Sequence, residues 1–295
     1  MLINLDNNFY KNRTTIFIKN MPVIKKLSIF SFAIGLLGIV VLQCIYSAPR
    51  PVIMPIVPVW LGPAIIWGYL FNLGFVFVAA ALLTGRMAKQ AALLFGAFML
   101  VSFLFFHTPA VLSLYPNHFG SWTDALKALA LSGAGFVIAG FYPQQPQGGL
   151  FRLLDKMSPV GPYFFGIMMV IFGYDHFIYL QFVETLVPAW MPGGAPFWTY
   201  FAGAALMAGG LGMILNIRLA GILSGAMIFL WFILLHIPRA FVDPHGNQSN
   251  EWTSVFEALA FSGVAYLIGT KPKRIKGNTA RQGIAITQGQ GRAAV

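Results

Sequence analysis

Eight runs of apolar residues leave this chain few ways to fold. They cover residues 27–46, 63–84, 90–112, 124–142, 160–181, 198–216, 219–241 and 253–270. Each is close to the roughly 20 residues that a helix needs to cross a bilayer. Backbone groups must pair within the chain in hydrocarbon, so each run is expected to be helical. None shows the two-residue alternation of a membrane barrel. The chain is 58% hydrophobic and 9% charged over 295 residues, more apolar surface than a soluble core absorbs. Residues 27–46 compete as a signal-peptide core. They are too long for one and lack a small-x-small cleavage site, so an uncleaved first helix is expected.

Half of the chain then repeats the other half. Gly96-Ala97, His107-Thr108-Pro109, Trp122-Thr123 and Lys127-Ala128-Leu129-Ala130-Leu131-Ser132-Gly133 recur as Gly225-Ala226, His236-Ile237-Pro238, Trp252-Thr253 and Glu257-Ala258-Leu259-Ala260-Phe261-Ser262-Gly263. The offset is 129 residues through His-x-Pro and 130 after it, so one insertion accounts for the difference. Pro58-Val59-Trp60 and Pro188-Ala189-Trp190 extend the match upstream. Four spans per copy is an even number, so both copies enter the membrane in the same direction. The expected fold is an all-α integral membrane protein. Its eight transmembrane helices form two parallel four-helix bundles related by a pseudo-twofold along the membrane normal, unlike the inverted repeats of many transporters. The expected organisation is an N-terminal segment 1–26, modules 27–142 and 160–270, a Pro/Gln/Gly-rich linker 143–159 and a basic, mobile tail 271–295.

Charge orients the bundle. With the N-terminus in the cytoplasm, sixteen of nineteen Lys and Arg fall on the inner side and three, Arg50, Lys127 and Arg239, on the outer. That asymmetry predicts both termini inside a bacterial inner membrane. The net charge of +11 does not read as a nucleic-acid footprint, because the basic residues cap apolar spans and form no basic domain. One cysteine, Cys44, rules out an intrachain disulfide, a CxxC pair and a cysteine zinc site. No metal site is expected.

The polar residues gather toward the outer side. All five histidines and six of eight acids fall there, among them Asp124, Asp243 and Glu251. His107 and His236 stand about 17 residues into their spans, roughly 25 Å from the inner end. They read either as interfacial histidines closing a helix at a proline kink or as residues of an outward-facing cavity. A third reading, two imidazoles on one haem iron, has no other haem signature behind it. Asp175-His176 lie in the second copy where the first has Ile45-Tyr46. Ionisable groups inside a membrane are functional candidates by default, and a histidine titrates near ambient pH. His176, Asp175 and Glu184 are therefore the candidate proton-handling residues. The candidate ligand-binding residues are His107, His236, Arg239, Trp122, Trp252, Lys127 and Glu257. Lys127 and Glu257 occupy equivalent places with opposite charge. They either pair between modules or snorkel separately. Arg239 reads as an interface anchor, a head-group ligand or a partner for Asp243. Lys89 and Arg218, equivalent inner-loop residues, are expected to pin the inner helix ends. Ala202-Gly203-Ala204-Ala205 and Ala208-Gly209-Gly210 permit close helix contact.

At these residues the chain resembles the DoxX/DoxD-like family of four-helix membrane proteins. The resemblance rests on the Pro-x-Trp before the second helix, the basic inner loop, the His-x-Pro and the Ala-Leu-Ala-x-Ser-Gly, and covers each half separately. It implies a four-helix bundle per copy. Some members are membrane subunits of a thiosulfate:quinone oxidoreductase, which implies a quinone as ligand and a soluble redox subunit as partner, beside the lipid bilayer. Two functions are expected on this footing. One is a redox-linked, quinone-interacting component with a polar cavity lined by His107, His176, Asp175 and His236. The other is non-enzymatic binding of a lipid, a small hydrophobic molecule or a partner protein at the outer face.

Overall fold

A computed structural model describes residues 22–55, 62–115, 118–143, 148–246 and 250–270. Pro58-Val59-Trp60, most of the N-terminal segment, residues 144–147 of the linker and the basic tail lie outside the described residues. All regular structure among the described residues is helical. In the first half it comprises α1 (Val23–Tyr46), α2 (Ala64–Thr84), α3 (Ala88–Ser102), α4 (Thr108–Leu114) and α5 (Thr123–Ala139). A short α6 (Gly149–Asp155) lies in the linker, which is therefore not purely irregular. The second half holds α7 (Gly161–Ile178), α8 (Leu180–Glu184), α9 (Gly194–Ile214), α10 (Arg218–Trp231), α11 (Ile237–Val242) and α12 (Asn250–Thr270).

Six helical rods are long and apolar enough to cross a membrane: α1, α2, α3 with α4, α9, α10 with α11, and α12. Large apolar side chains stay uncovered on their outer surfaces, Leu73 at 71% and Val242 at 86% exposure. Water does not tolerate such a surface at this extent, and hydrocarbon does. This is the build of an all-helical, multi-pass membrane protein. Of the other two expected spans, α5 has 17 residues. α7 has 18 and carries Asp175 and His176 near its end.

The long helices pack in chain order around a ring, α1 on α2, α2 on α3, α3 on α5, α5 on α7, α7 on α9, α9 on α10, α10 on α12, and α12 back on α1. The last helix of each half thus lies on the first helix of the other half. In addition, α5 touches α12 directly. These two helices are the most enclosed. Side chains from Leu129 to Ala139 are all buried, as are those from Ala260 to Ala265.

Small residues set the seams between halves. A Cβ on Gly133 would lie 2.6 Å from the Gly161 carbonyl oxygen on α7. A Cβ on Gly263, the repeat partner of Gly133, would run into the Ser28 carbonyl oxygen on α1. Only glycine allows backbones that close.

The His-x-Pro motifs do not close their helices. In both copies the five residues ending at the histidine, Phe103–His107 and Phe232–His236, form a π-turn, and an α-helix continues beyond. The cause is the proline two residues on, which has no N–H to give. The N–H of the intervening residue reaches back five residues, from Thr108 to Phe103 and from Ile237 to Phe232. Phe103 also accepts from the Thr108 hydroxyl at 2.9 Å, so its carbonyl is not left bare. π-turns of this kind recur at functional sites.

Candidate functional site

The polar residues fall into two groups at the same end of the bundle. The first sits where the halves meet. Lys127 of α5 donates to Glu257 of α12 at 2.8 Å and lies 3.7 Å from Asp124. The two equivalent positions therefore pair with each other across the repeat. Glu257 is 3% exposed. Removing a charge from water costs several kcal/mol, and the opposite charge from the other half offsets it.

Arg50, between α1 and α2, closes the cluster from above at 2% exposure. Its Nε donates to the Thr253 hydroxyl at 2.9 Å, and its guanidinium lies 5.3 Å over the Tyr46 ring. Burial holds the guanidinium below its ordinary pKa, opposed by Tyr46, Glu257 and Asp124. Its backbone N–H donates to the Gln43 side-chain oxygen at 3.0 Å. Gln43 in turn donates to Asn72 at 2.6 Å, and Asn72 donates to the Cys44 sulfur at 3.3 Å. Sequence reasoning placed Arg50 on the outer side but gave it no site, and passed over Gln43 and Asn72. The signal was present: two isolated amides inside apolar runs need a partner, and here they are each other's.

His107 and His236 flank this cluster. His107 is 1% exposed, and its ring is within electrostatic reach of Asp124 and beside the backbone of Val52 and Ile53. His236 is within reach of Lys127, Glu251 and Arg239. Arg239 does not pair with Asp243 as the spacing allowed. It grips Glu251 with two bonds, Nη2 to Oε1 at 2.7 Å and Nε to Oε2 at 3.2 Å. Trp122 packs against the core, and Trp252 packs between Phe241 and Phe256. Three buried atoms here have no partner among the described residues: His107 Nε2, His236 Nδ1 and Glu257 Oε1. No group of three His, Cys, Asp or Glu able to hold a metal forms among the described residues.

The second group belongs to the second half alone. A cavity of about 100 Å³ opens between α7, α9 and α10, with His176, Thr199, Trp198, Trp231, Leu235 and Pro188 on its walls. Tight packing of α7 on α9 makes it. A Cβ on Gly203 would stand 2.8 Å from the His176 Cβ, and one on Gly173 would stand 2.6 Å from the Gly203 carbonyl oxygen. His176 bonds its own helix, Nδ1 to the Phe172 carbonyl oxygen at 2.7 Å, and not a neighbouring one. Thr199 is 1% exposed, and its hydroxyl has no partner among the described residues. Trp198 is fixed by a 2.6 Å bond from its Nε1 to the Pro192 carbonyl oxygen.

His176 is thus the one expected proton-handling residue on this cavity. Asp175 is partly buried with Oδ1 unpartnered, but points elsewhere than the cavity wall. Glu184 ends α8, in the segment whose neighbours Val183, Leu186 and Val187 line the cavity, and does not line it itself. His107 and His236 are not on these walls either. The single cavity expected from sequence is instead two places, one charged and one apolar. Thr199 and Trp231 were missed, because a threonine and a tryptophan in an apolar run carry no distinguishing pattern.

At the opposite end, Lys89 is 3% exposed and pairs with Asp155 of α6 at 2.8 Å. It ties the linker to the start of α3, which sharpens the expected pinning role. No family model, curated protein or solved structure matches this chain.

Proposed function

We propose that this is a DoxX-like protein of the bacterial inner membrane that takes a lipid-soluble ligand into the cavity of its second module from the outer leaflet. One observation carries the reading. Thr199, whose enclosed hydroxyl has no partner among the described residues, and His176 line a small pocket with otherwise apolar walls. A site with apolar walls and few convergent polar groups is the usual form of a small-molecule pocket. In this reading eight helices cross, with α5 and α7 as the two short ones. α5 is enclosed on three sides by α3, α7 and α12, so the apolarity demanded of a lipid-facing span does not apply to it. α7 is extended by α8 after a single residue, Tyr179. The halves are related by a pseudo-twofold through the α5–α12 contact, and both termini are cytoplasmic. The Lys127, Glu257, Arg50, His107 and His236 group is the structural and electrostatic link between modules, with Arg239, Trp122 and Trp252 at its rim.

A second reading adds redox chemistry. His176 would pass a proton to or from a quinone while a soluble subunit supplies or accepts the electrons, with Asp175 and Glu184 as proton partners. The buried Asp175 Oδ1, one residue from His176 though off the cavity wall, has no partner among the described residues and favours it.

Purification in mild detergent followed by solvent extraction and mass spectrometry tests the first reading. About one lipid-soluble molecule per chain is expected, lost in Thr199→Phe, which fills the cavity. The same bulk phospholipid from both proteins, and nothing else, would contradict it. A quinone among the extracts, with turnover abolished in His176→Ala, would support the second reading.

A further inference from the structure

We infer that a second cavity, at the end of the bundle that carries Lys89, holds a phospholipid with a net negative head group. One acyl chain lies in the cavity, and the head group sits among the basic side chains beside it. This site is separate from the cavity of the second module and does not depend on that reading.

The cavity measures about 240 Å³ and lies between the start of α1, the end of α2 and the residue Tyr142 beyond α5. Its walls are Leu27, Phe30, Leu82, Leu83 and Tyr142, with Lys26 among them. It is larger than the ~150 Å³ of an engineered apolar cavity known to hold benzene, so a run of methylenes fits. Leu27 is 56% exposed, Phe30 51% and Leu83 42%. They carry the apolar wall outward onto the face of the rods, where lipid tails lie. A tail entering from that face meets hydrocarbon along its length.

Charge chooses the head group. Lys26 is exposed on the cavity wall. Lys25, the residue before it, stands 5.2 Å over the ring of Phe141, the sequence neighbour of Tyr142. Arg86, also exposed, follows the wall residue Leu83 by three positions. Lys89, Arg152 and Lys156 belong to the same end. Among the described residues Asp155 is the one carboxylate there, and it is held by Lys89 at 2.8 Å. The end is therefore strongly positive. Attraction of this kind acts over about a Debye length, so no single ammonium has to point into the cavity. A basic residue near the membrane surface favours an anionic lipid by about five-fold. A zwitterionic head group gains little from this field. A free phosphate gains the charge but not the contact of a tail with the walls.

Tritiated dioleoyl phosphatidylglycerol bound to the detergent-solubilised full chain provides the test. Unlabelled dioleoyl phosphatidylglycerol, dioleoyl phosphatidylcholine and inorganic phosphate compete for it. Phosphatidylglycerol is expected to compete about ten-fold or more better than phosphatidylcholine, the worth of two lysines at most being about 25-fold. Lys25→Gln with Lys26→Gln should erase most of that preference. Lys156→Gln, at the same end but off the cavity walls, should keep most of it. Leu27→Trp, which narrows the cavity from an exposed position, should weaken binding of both lipids several-fold with the melting temperature unchanged. Inorganic phosphate should not compete. Equal competition by the two lipids would overturn the proposal. So would a loss in Lys156→Gln as large as in the double variant, which would assign the preference to diffuse surface charge. Full binding in Leu27→Trp would show that no tail enters the cavity, and displacement by phosphate would show an anion site in place of a lipid site. The preference is a ratio measured within each protein, so a fold weakened by the lysine substitutions does not imitate its loss.

Discussion

The ammonium of Lys127 lies 2.8 Å from the carboxylate of Glu257, and the two residues hold the same place in the two copies of the repeat. A duplicated helix would otherwise bring like against like at the contact of α5 and α12. Opposite charges there make the halves complementary. They also make them unequal, so a chain of two first halves would bury two lysines together.

That pair predicts strong non-additivity. Lys127→Met alone leaves Glu257 buried and uncompensated and should cost about 3–5 kcal/mol. The double variant Lys127→Met with Glu257→Met should recover most of that loss. Reversible unfolding in detergent mixtures measures both. Arg239→Gln is the contrasting case. Its partner Glu251 is 24% exposed and Arg239 itself 32%, so solvent screens the pair and its loss should stay under about 1 kcal/mol. Additive losses for Lys127 and Glu257 would mean that the two do not depend on each other.

The glycine seams predict a matched pair of effects. Gly133→Ala and Gly263→Ala each place a Cβ within 2.6 Å of a carbonyl oxygen of the neighbouring half. Both should destabilise, by about 1–3 kcal/mol through overpacking. Gly74→Ala is the control, since nothing lies within 4 Å of its added Cβ. There the gain in helix propensity should leave stability unchanged or raised by up to ~1 kcal/mol. Thermal melts of the three variants decide the matter. An unharmed Gly263→Ala would argue against the close approach of α12 to α1.

Gly203 separates position from chemistry at the cavity. Its replacement by alanine removes no polar atom there, yet the new Cβ meets the Cβ of His176 at 2.8 Å. Gly203→Ala should lower ligand retention several-fold while the chain stays folded. Extraction and quantification of the bound molecule reads this directly. Full retention would show that the placement of His176 does not matter to binding.

The sequence disclosed the scaffold better than the site. Long apolar runs and a 129-to-130-residue echo mark helices and duplication because bilayer thickness and repeat alignment act on whole segments. The pairing of Lys127 with Glu257 was within reach, since the two hold equivalent places in the repeat with opposite charge. Four things were not legible. Proline two residues past a histidine suggested an ending, whereas a π-turn lets the rod run on to Leu114 and Val242. Arg239 chose Glu251 over Asp243, a matter of where loops return. The division of His176 from His107 and His236 depends on which way each side chain points around its helix, and adjacent helices decide that. Thr199 became notable only through what surrounds it, an enclosed hydroxyl with no partner.

In the proposed arrangement the two halves run the same way across the membrane, with their histidines on the far side. Single cysteines at His118, His245 and Lys156, all exposed, in a chain with Cys44→Ser, test this with a maleimide that cannot cross the membrane. In intact cells His118→Cys and His245→Cys should both label, and Lys156→Cys only after permeabilisation. Labelling of positions 118 and 245 from opposite sides, or of 156 from the same side as 118, would contradict the parallel arrangement and the crossings of α5 and α7 with it.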